Sequence, residues 1–473
     1  MVNATILDRS GAANSQQTAQ PFVVVGGGIA GIAAALRLAE CGAPVTLLET
    51  RRKLGGRATS FDDVRSGERL DNCQHIAMGC CTNYLDLLDR LGVADKIAWS
   101  RDITWIEPGG RRSVMKPGLF PAPGHFAESF LAARFLTVDE KFAIAAGMHH
   151  AAYADLESLD SVTFEHWLLR YDQPAGAIEK FWAPVVVSAC NLWPDRLAAS
   201  EALHVFQEGF LAHRDAAMIG VPTAPLVELY DAAETIIAKT GGTIHLGTSV
   251  TRIDVDEVET AAGEILRARQ VICAVPFERA SQLVSAQAQA SDDRFARLSR
   301  LEHSPILGVH LTFDRPVMDV AHAALVGLGT QWLFRKDAEG RKVHAVISGA
   351  DSWVGLDEPT IIERVLGDVR TCLPTSEHAE LVSGRPVKEK RATFAPTPAS
   401  TSLRPDTTGP SGVILAGDYV DVGWPSTMEG ATRSGYLAAA AALGEDDAWA
   451  LRPSLTPAAP YRAARRMARA FTA

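Results

Sequence analysis

The chain has 473 residues, 47% of them hydrophobic and 22% charged, with a formal net charge of −10. That length needs more than one hydrophobic core, and the composition excludes a disordered or fibrous chain. The acidic balance, with a pI near 5.7, excludes a nucleic-acid binder, which needs a basic face.

Met1–Gln20 is polar, includes Asp8 and lacks the apolar centre of a signal peptide, so residues 1–20 read as a disordered start. No run of about twenty apolar residues is present, so no membrane-spanning helix is expected. The seven cysteines follow neither a zinc nor a disulfide spacing and read as reduced thiols of a cytoplasmic protein.

Phe22–Val25 is a short apolar, β-branched run that reads as a buried parallel strand. Gly26, Gly28 and Gly31 follow in the spacing G-x-G-x-x-G, and Ala- and Leu-rich Ile32–Glu40 favours a helix. Pro44–Leu48 then reads as a second strand, ending at Glu49. The glycines suit a tight turn, backbone approach to a pyrophosphate and close helix packing, and Glu49 is placed to accept bonds from a ribose. These features predict a dinucleotide site without separating NAD from FAD. Gly55, Gly56 and Arg57 add a second glycine pair and a guanidinium close behind.

Residues 100–220 read as mostly helical, with apolar faces at Phe130, Phe135, Phe142 and Trp167. Gly220–Thr223 leads into a helix through Ile236, and strands follow at Thr243–Leu246, Thr248–Ile253 and Val271–Pro276. Further strand-like runs lie at Ile306–Phe313 and Val343–Ser348. Val413–Ala416 is another buried strand, followed by Gly417 and Asp418. Ser426 and Glu429 have capping-box spacing, which predicts a helix starting near Thr427. No metal-ligand constellation and no Ser-His-Asp arrangement is present.

The run from Glu49 to Arg57 resembles the dinucleotide-binding region of the amine oxidase and phytoene desaturase flavoprotein superfamily. Within it, Leu70–His75, Phe181–Pro184 with Asn191, Arg391–Phe394 and above all Gly417–Ala431 resemble hydroxysqualene dehydroxylases, also called squalene-associated FAD-dependent desaturases. The chain departs from that pattern at Cys73, where glycine is typical, and at Tyr419, where tryptophan is typical.

The resemblance implies an α/β fold: a Rossmann-like FAD-binding domain interleaved with an α+β substrate domain of sheet floor and helical cover. It places 21–100, 221–290 and 405–445 in the FAD domain, 101–220 and 291–404 in the substrate domain, and 446–473 in a tail. It implies FAD as cofactor, held by Gly26, Gly28, Gly31, Glu49, Gly56, Arg57, Val250, Gly417, Asp418, Thr427 and Met428. It also implies reductive conversion of hydroxysqualene to squalene in bacterial hopanoid biosynthesis.

Losing an allylic hydroxyl takes a proton for the oxygen, a tolerated carbocation and a hydride from reduced flavin. His75 is the first candidate acid, with Asp71 to orient it, and His303 is a second. Trp182, Trp332 and Trp424 are candidates to line an apolar pocket. The tail from Tyr461 to Phe471 reads as a basic amphipathic helix, set apart from the core by Pro453, Pro457 and Pro460. It predicts peripheral contact with the inner face of the cell membrane, and contact with upstream squalene-pathway enzymes is a further expectation. Carotenoid-type desaturation, amine oxidation and a non-catalytic isoprenoid carrier stay open as alternatives.

Overall fold

In a computed structural model, residues 20–472 are described, so nearly all of the expected disordered start lies outside them. Five strands form one parallel sheet in the order Thr243–Leu246, Val45–Glu49, Phe22–Val25, Gln270–Cys273 and Ile414–Leu415. All of Phe22–Val25 and Val45–Glu49 is buried, as a parallel sheet covered on both faces requires.

Helix Ile29–Glu40 leaves the first strand through the glycine turn and packs against helix Met428–Leu443. Small residues permit the approach. Gly435 of the second helix lies against Ala30 and Ala33 of the first, while Ile32, Leu36 and Leu38 are fully buried elsewhere around that helix, each stabilising the fold by roughly 1.5–3 kcal/mol. An antiparallel ribbon of Val250–Ile253, Glu257–Thr260 and Ile265–Arg267 stands beside the sheet.

The second layer is a seven-stranded sheet in the order Leu381–Phe394, His303–Phe313, Lys342–Ser348, Trp332–Arg335, His322–Leu325, Ile103–Ile106 and Arg112–Met115. Two of its strands come from the stretch expected to be mostly helical. There, Ile103–Ile106 is buried throughout and Arg112–Met115 alternates exposed and buried, runs of four residues too short to register in sequence. Helices Val138–Tyr153, Phe164–Arg170, Ala183–Cys190 and Ala199–Phe206 cover this region. Phe135 and Trp167 are buried beneath them and Phe130 is half-buried, but Phe142 is 73% exposed, so it belongs to no inward face.

The C-terminal helix spans Ala459–Thr472. It is not set apart from the core. Tyr461 is buried in the helical layer, and the Ala458 amide donates to the Ala212 carbonyl at 2.8 Å. No described helix is long and apolar enough to cross a membrane.

Candidate active site

Two glycine loops meet at the carboxyl ends of the parallel strands. The Gly55 amide donates to the Gly27 carbonyl at 2.9 Å, and Gly28 bridges Gly55. Gly56 has a φ of +60°, and a Cβ there would come within 3.0 Å of the Gly28 Cα. These backbones therefore approach because neither carries a side chain. The loops wall a cleft of about 500 Å³.

Gly26, Gly28, Glu49, Gly56, Arg57, Val250, Gly417, Asp418, Thr427 and Met428 all line this cleft. Gly31 does not line it. A Cβ on Gly31 would overlap the Gly26 carbonyl oxygen, so Gly31 seats the helix against the turn. Glu49 accepts from the amides of Gly27 at 2.6 Å and Arg51 at 2.7 Å, which fix its carboxylate at the end of the second strand.

Arg57 ties the distant parts of the cleft together. Its guanidinium pairs with Asp418 and donates to the Ala392 carbonyl at 2.8 Å. Ser426 donates to the other Asp418 oxygen at 2.5 Å. Burial pushes the Asp418 carboxyl up, but Arg57 and these hydrogen bonds prevail and hold it below the usual carboxylate range.

The capping-box expectation at Ser426 and Glu429 is corrected. Thr427 is the N-cap, accepting from the Gly430 amide at 3.2 Å. Ser426 serves Asp418 instead. Glu429 is buried and accepts from the Tyr84 amide at 2.7 Å and from Asn83 at 2.8 Å, capping helix Thr82–Arg90 from outside. The start of helix Met428–Leu443 still faces the cleft with its partial positive charge.

A second, apolar cavity of about 560 Å³ lies between the helical layer and the seven-stranded sheet. Phe126, Phe130, Phe181, Phe206, Phe210 and Trp332 are among its walls. Cys73, Gln74, Ile76, Ile306, Thr427 and Met428 line both spaces, so the cavity adjoins the cleft.

The tryptophans divide. Trp332 and Trp424 line the cavity, and the Trp332 indole donates to Ser188 at 2.6 Å. Trp182 does not. It is fully buried among Phe164, Trp167 and Phe206 and donates to Gln173 at 2.8 Å, which makes it a core residue.

The His75–Asp71 pair is likewise corrected. Asp71 lines neither space. It accepts from Ser60 at 2.7 Å and the Leu226 amide at 3.0 Å, and it meets Lys336 at 3.3 Å. Those partners hold its carboxylate away from His75. The His75 ring lies in the cleft with Nδ1 3.2 Å from the Cys73 carbonyl. Burial lowers its pKa, and a carbonyl can only accept, so the neutral ring spends its proton there. That leaves Nε2 an acceptor and the ring a poor acid. His303 lines neither space and stacks on Phe277 at 4.4 Å. Cys73 fits its turn without the left-handed backbone that would have demanded glycine.

Sequence reasoning missed His204 and Glu208. Both line the apolar cavity, one turn apart, and His204 meets the Trp424 ring edge-on at 4.6 Å. It also left Asn191 without a role. Asn191 ends helix Ala183–Cys190 with φ +56° and bonds Ser304 and Thr393 at 3.0 Å each, fastening that helix to two strands of the sheet. The only sequence signal for any of them was polarity inside apolar runs.

A parallel sheet with a glycine turn, a terminal Glu and a cleft closed by a distant strand, loop and helix defines a dinucleotide-binding oxidoreductase. The sequence profile described as flavin containing amine oxidoreductase matches residues 29–443, and the chain belongs to that family. Its cofactor is FAD. Among curated relatives, a 15-cis-phytoene desaturase of Synechococcus elongatus is 23% identical over 478 residues, covering 93% of this chain and 99% of its own. A zeta-carotene desaturase of Arabidopsis thaliana is 25% identical over 471 residues, covering 87% of this chain and 83% of its own. Solved structures share the fold. A putrescine oxidase variant superposes with a TM-score of 0.67 at 17% identity, over 90% of this chain and 99% of its own. An oxidoreductase of Methanosarcina mazei gives 0.66 at 18% identity, over 90% and 100%.

Proposed function

We propose that this protein reductively removes the allylic hydroxyl of a long isoprenoid alcohol, converting hydroxysqualene to squalene in hopanoid or isoprenoid biosynthesis. The reaction takes the alcohol, two electrons and two protons to the hydrocarbon and water. The observation that carries the reading is the apolar cavity adjoining the cofactor cleft, which suits a ligand that is almost all hydrocarbon. The chemistry a bound, reduced FAD would supply here is the hydride. The aromatic walls exclude water that would otherwise capture an allylic cation. Arg57, Asp418 and the start of helix Met428–Leu443, which line the cleft, would hold and orient the cofactor.

The test is anaerobic. Enzyme reduced with dithionite and mixed with hydroxysqualene is expected to regain the spectrum of oxidised flavin as squalene forms, one for one. A flavin that stays reduced refutes the reading. A second reading, carotenoid-type desaturation, is favoured by the relatives' names. It expects the opposite, bleaching of oxidised enzyme by phytoene. A non-catalytic carrier would do neither.

This reading also includes contact with a lipid surface, because such a substrate partitions into bilayers. Support comes from an apolar rim rather than from the tail. Leu119, Phe120, Leu131, Val138 and Phe142 are 91%, 55%, 67%, 67% and 73% exposed. They flank Pro123, Phe126 and Phe130 of the cavity wall, with exposed Lys116 and Arg134 nearby. The triple variant Leu119→Ser, Phe120→Ser, Phe142→Ser is expected to bind phosphatidylglycerol vesicles about tenfold more weakly in a flotation assay. Unchanged binding would place lipid contact elsewhere.

A further inference from the structure

The cavity is apolar almost throughout, which makes its few polar groups informative. On its wall Gln74, Tyr84, Ser188, Thr427 and Glu429 are already engaged, exposed His149 meets the Tyr153 ring edge-on at 4.9 Å, and Ser348 ends strand Lys342–Ser348. Gln74 donates to the His75 carbonyl and accepts from Lys336. Tyr84 pairs with the Tyr230 hydroxyl, and Ser188 accepts from Trp332. Thr427 and Glu429 cap helices.

His204 and Glu208 differ. The His204 Nε2 is buried with no hydrogen-bond partner, and the Glu208 carboxylate makes no hydrogen bond or ion pair among the described residues. Leaving the buried ring nitrogen unpaired costs about 1–3 kcal/mol, which a ligand group can recover.

The backbone here is also unusual. Gln207–Leu211 is a π-helical turn, closed by the Ala212 amide on the Gln207 carbonyl at 3.0 Å. Gln207 fastens it by donating to the carbonyls of Ala151 and Ala154 at 2.9 Å. Such insertions cost helix stability and cluster at functional sites.

We propose that His204 and Glu208 form a hydrogen-bonding seat for the hydroxyl group of an isoprenoid alcohol inside the cavity. The two sit four residues apart, so one oxygen can address both. A hydroxyl offers one donor and two acceptor sites, which matches an imidazole and a carboxyl together. Burial, with Arg433 and Arg404 nearby, takes the His204 pKa down to about 4, so its ring is neutral and both donates and accepts. Burial also raises the Glu208 carboxyl, against the opposing pull of Arg465 and Arg433. A carotenoid hydrocarbon would gain nothing from the seat. The inference rests on the reading that the ligand is an isoprenoid alcohol.

The test is binding to the oxidised holoenzyme, which cannot turn the alcohol over. Hydroxysqualene and squalene are titrated separately, followed by the fluorescence of the tryptophans and the flavin absorbance. Wild type is expected to prefer hydroxysqualene by about tenfold or more. The double variant His204→Phe, Glu208→Leu should lose that preference while its squalene affinity stays within about twofold. His204→Asn, which keeps a donor and an acceptor, should retain part of it and guards against misfolding. A preference that survives the double variant, or is absent in wild type, overturns the inference. If the preference vanishes in the variant but reduced wild type makes no squalene, the seat stands and the dehydroxylation reading falls.

Discussion

Replacing Gly31 by alanine is expected to give a protein that emerges from a desalting column without flavin. The added methyl would fall inside the Gly26 carbonyl oxygen and 3.3 Å from the Ala274 Cβ. Neither is the loose end of a flexible side chain. Helix Ile29–Glu40 must therefore lift from the strand, carrying its first turn away from the cleft. Overpacking of this kind costs about 1–3 kcal/mol, and the stabilisation by bound cofactor is lost as well. The checks are the ratio of flavin to protein absorbance and the melting temperature. Gly367→Ala is the control. It lies exposed within helix Glu358–Cys372 with nothing near its Cβ position, and alanine should stabilise it by up to about 1 kcal/mol. A fully loaded Gly31→Ala protein that melts like wild type would remove the steric account of the turn.

Replacing Arg294 by methionine should produce the largest loss of stability, about 3–5 kcal/mol at neutral pH. Arg294 is fully buried. It pairs with Asp292 at 2.7 Å and donates to the carbonyls of Asp406, Thr407 and Val413 at 2.9, 3.0 and 2.8 Å. Methionine fills most of the volume but leaves a buried carboxylate and three carbonyls without their donor. The defect should depend on pH. Burial acts to raise the Asp292 carboxyl, but Arg294 and Ser411 bring it down from 3.8 to about 2. A depressed carboxyl stabilises the fold above its ordinary pKa and loses that contribution as pH falls through the folded value. The gap between wild type and variant should thus be full at pH 7, begin to shrink where the unpaired carboxyl of the variant takes up its proton, and stop changing below about pH 2. Urea unfolding at several pH values measures it. A gap independent of pH would mean that the charge of Asp292 is not the cause.

What the sequence revealed was local chemistry. The run from Phe22 to Glu49 is legible because strand, turn and helix each follow from neighbouring residues. Gly417 and Asp418 are legible for the same reason, since a strand leads straight into them. The misreadings share the opposite cause. Ser426 and Glu429 have the spacing of a reciprocal cap, but their side chains reach Asp418 and another helix, and no periodicity encodes that. Asp71 stands four positions before a histidine in sequence, yet Ser60 and Leu226 claim its carboxylate across the fold. Trp182 and Trp332 look alike in sequence, and only packing separates core from cavity. His204 and Glu208 stayed hidden because a polar residue in an apolar helix ordinarily points outward.

The Arg57–Asp418 pair has a consequence for how the protein is made. Its partners are 361 positions apart, and the sheet is completed by Ile414–Leu415. A chain growing from the ribosome at about 5–20 residues per second has its first glycine turn well before the segment that closes the cleft on it. From the time residue 273 is made until residue 414 follows, the growing chain offers an open apolar edge at Gln270–Cys273 with no strand to cover it. Flavin capture therefore belongs to the end of translation, and a nascent chain stalled short of residue 414 becomes a client for chaperones rather than a half-active enzyme.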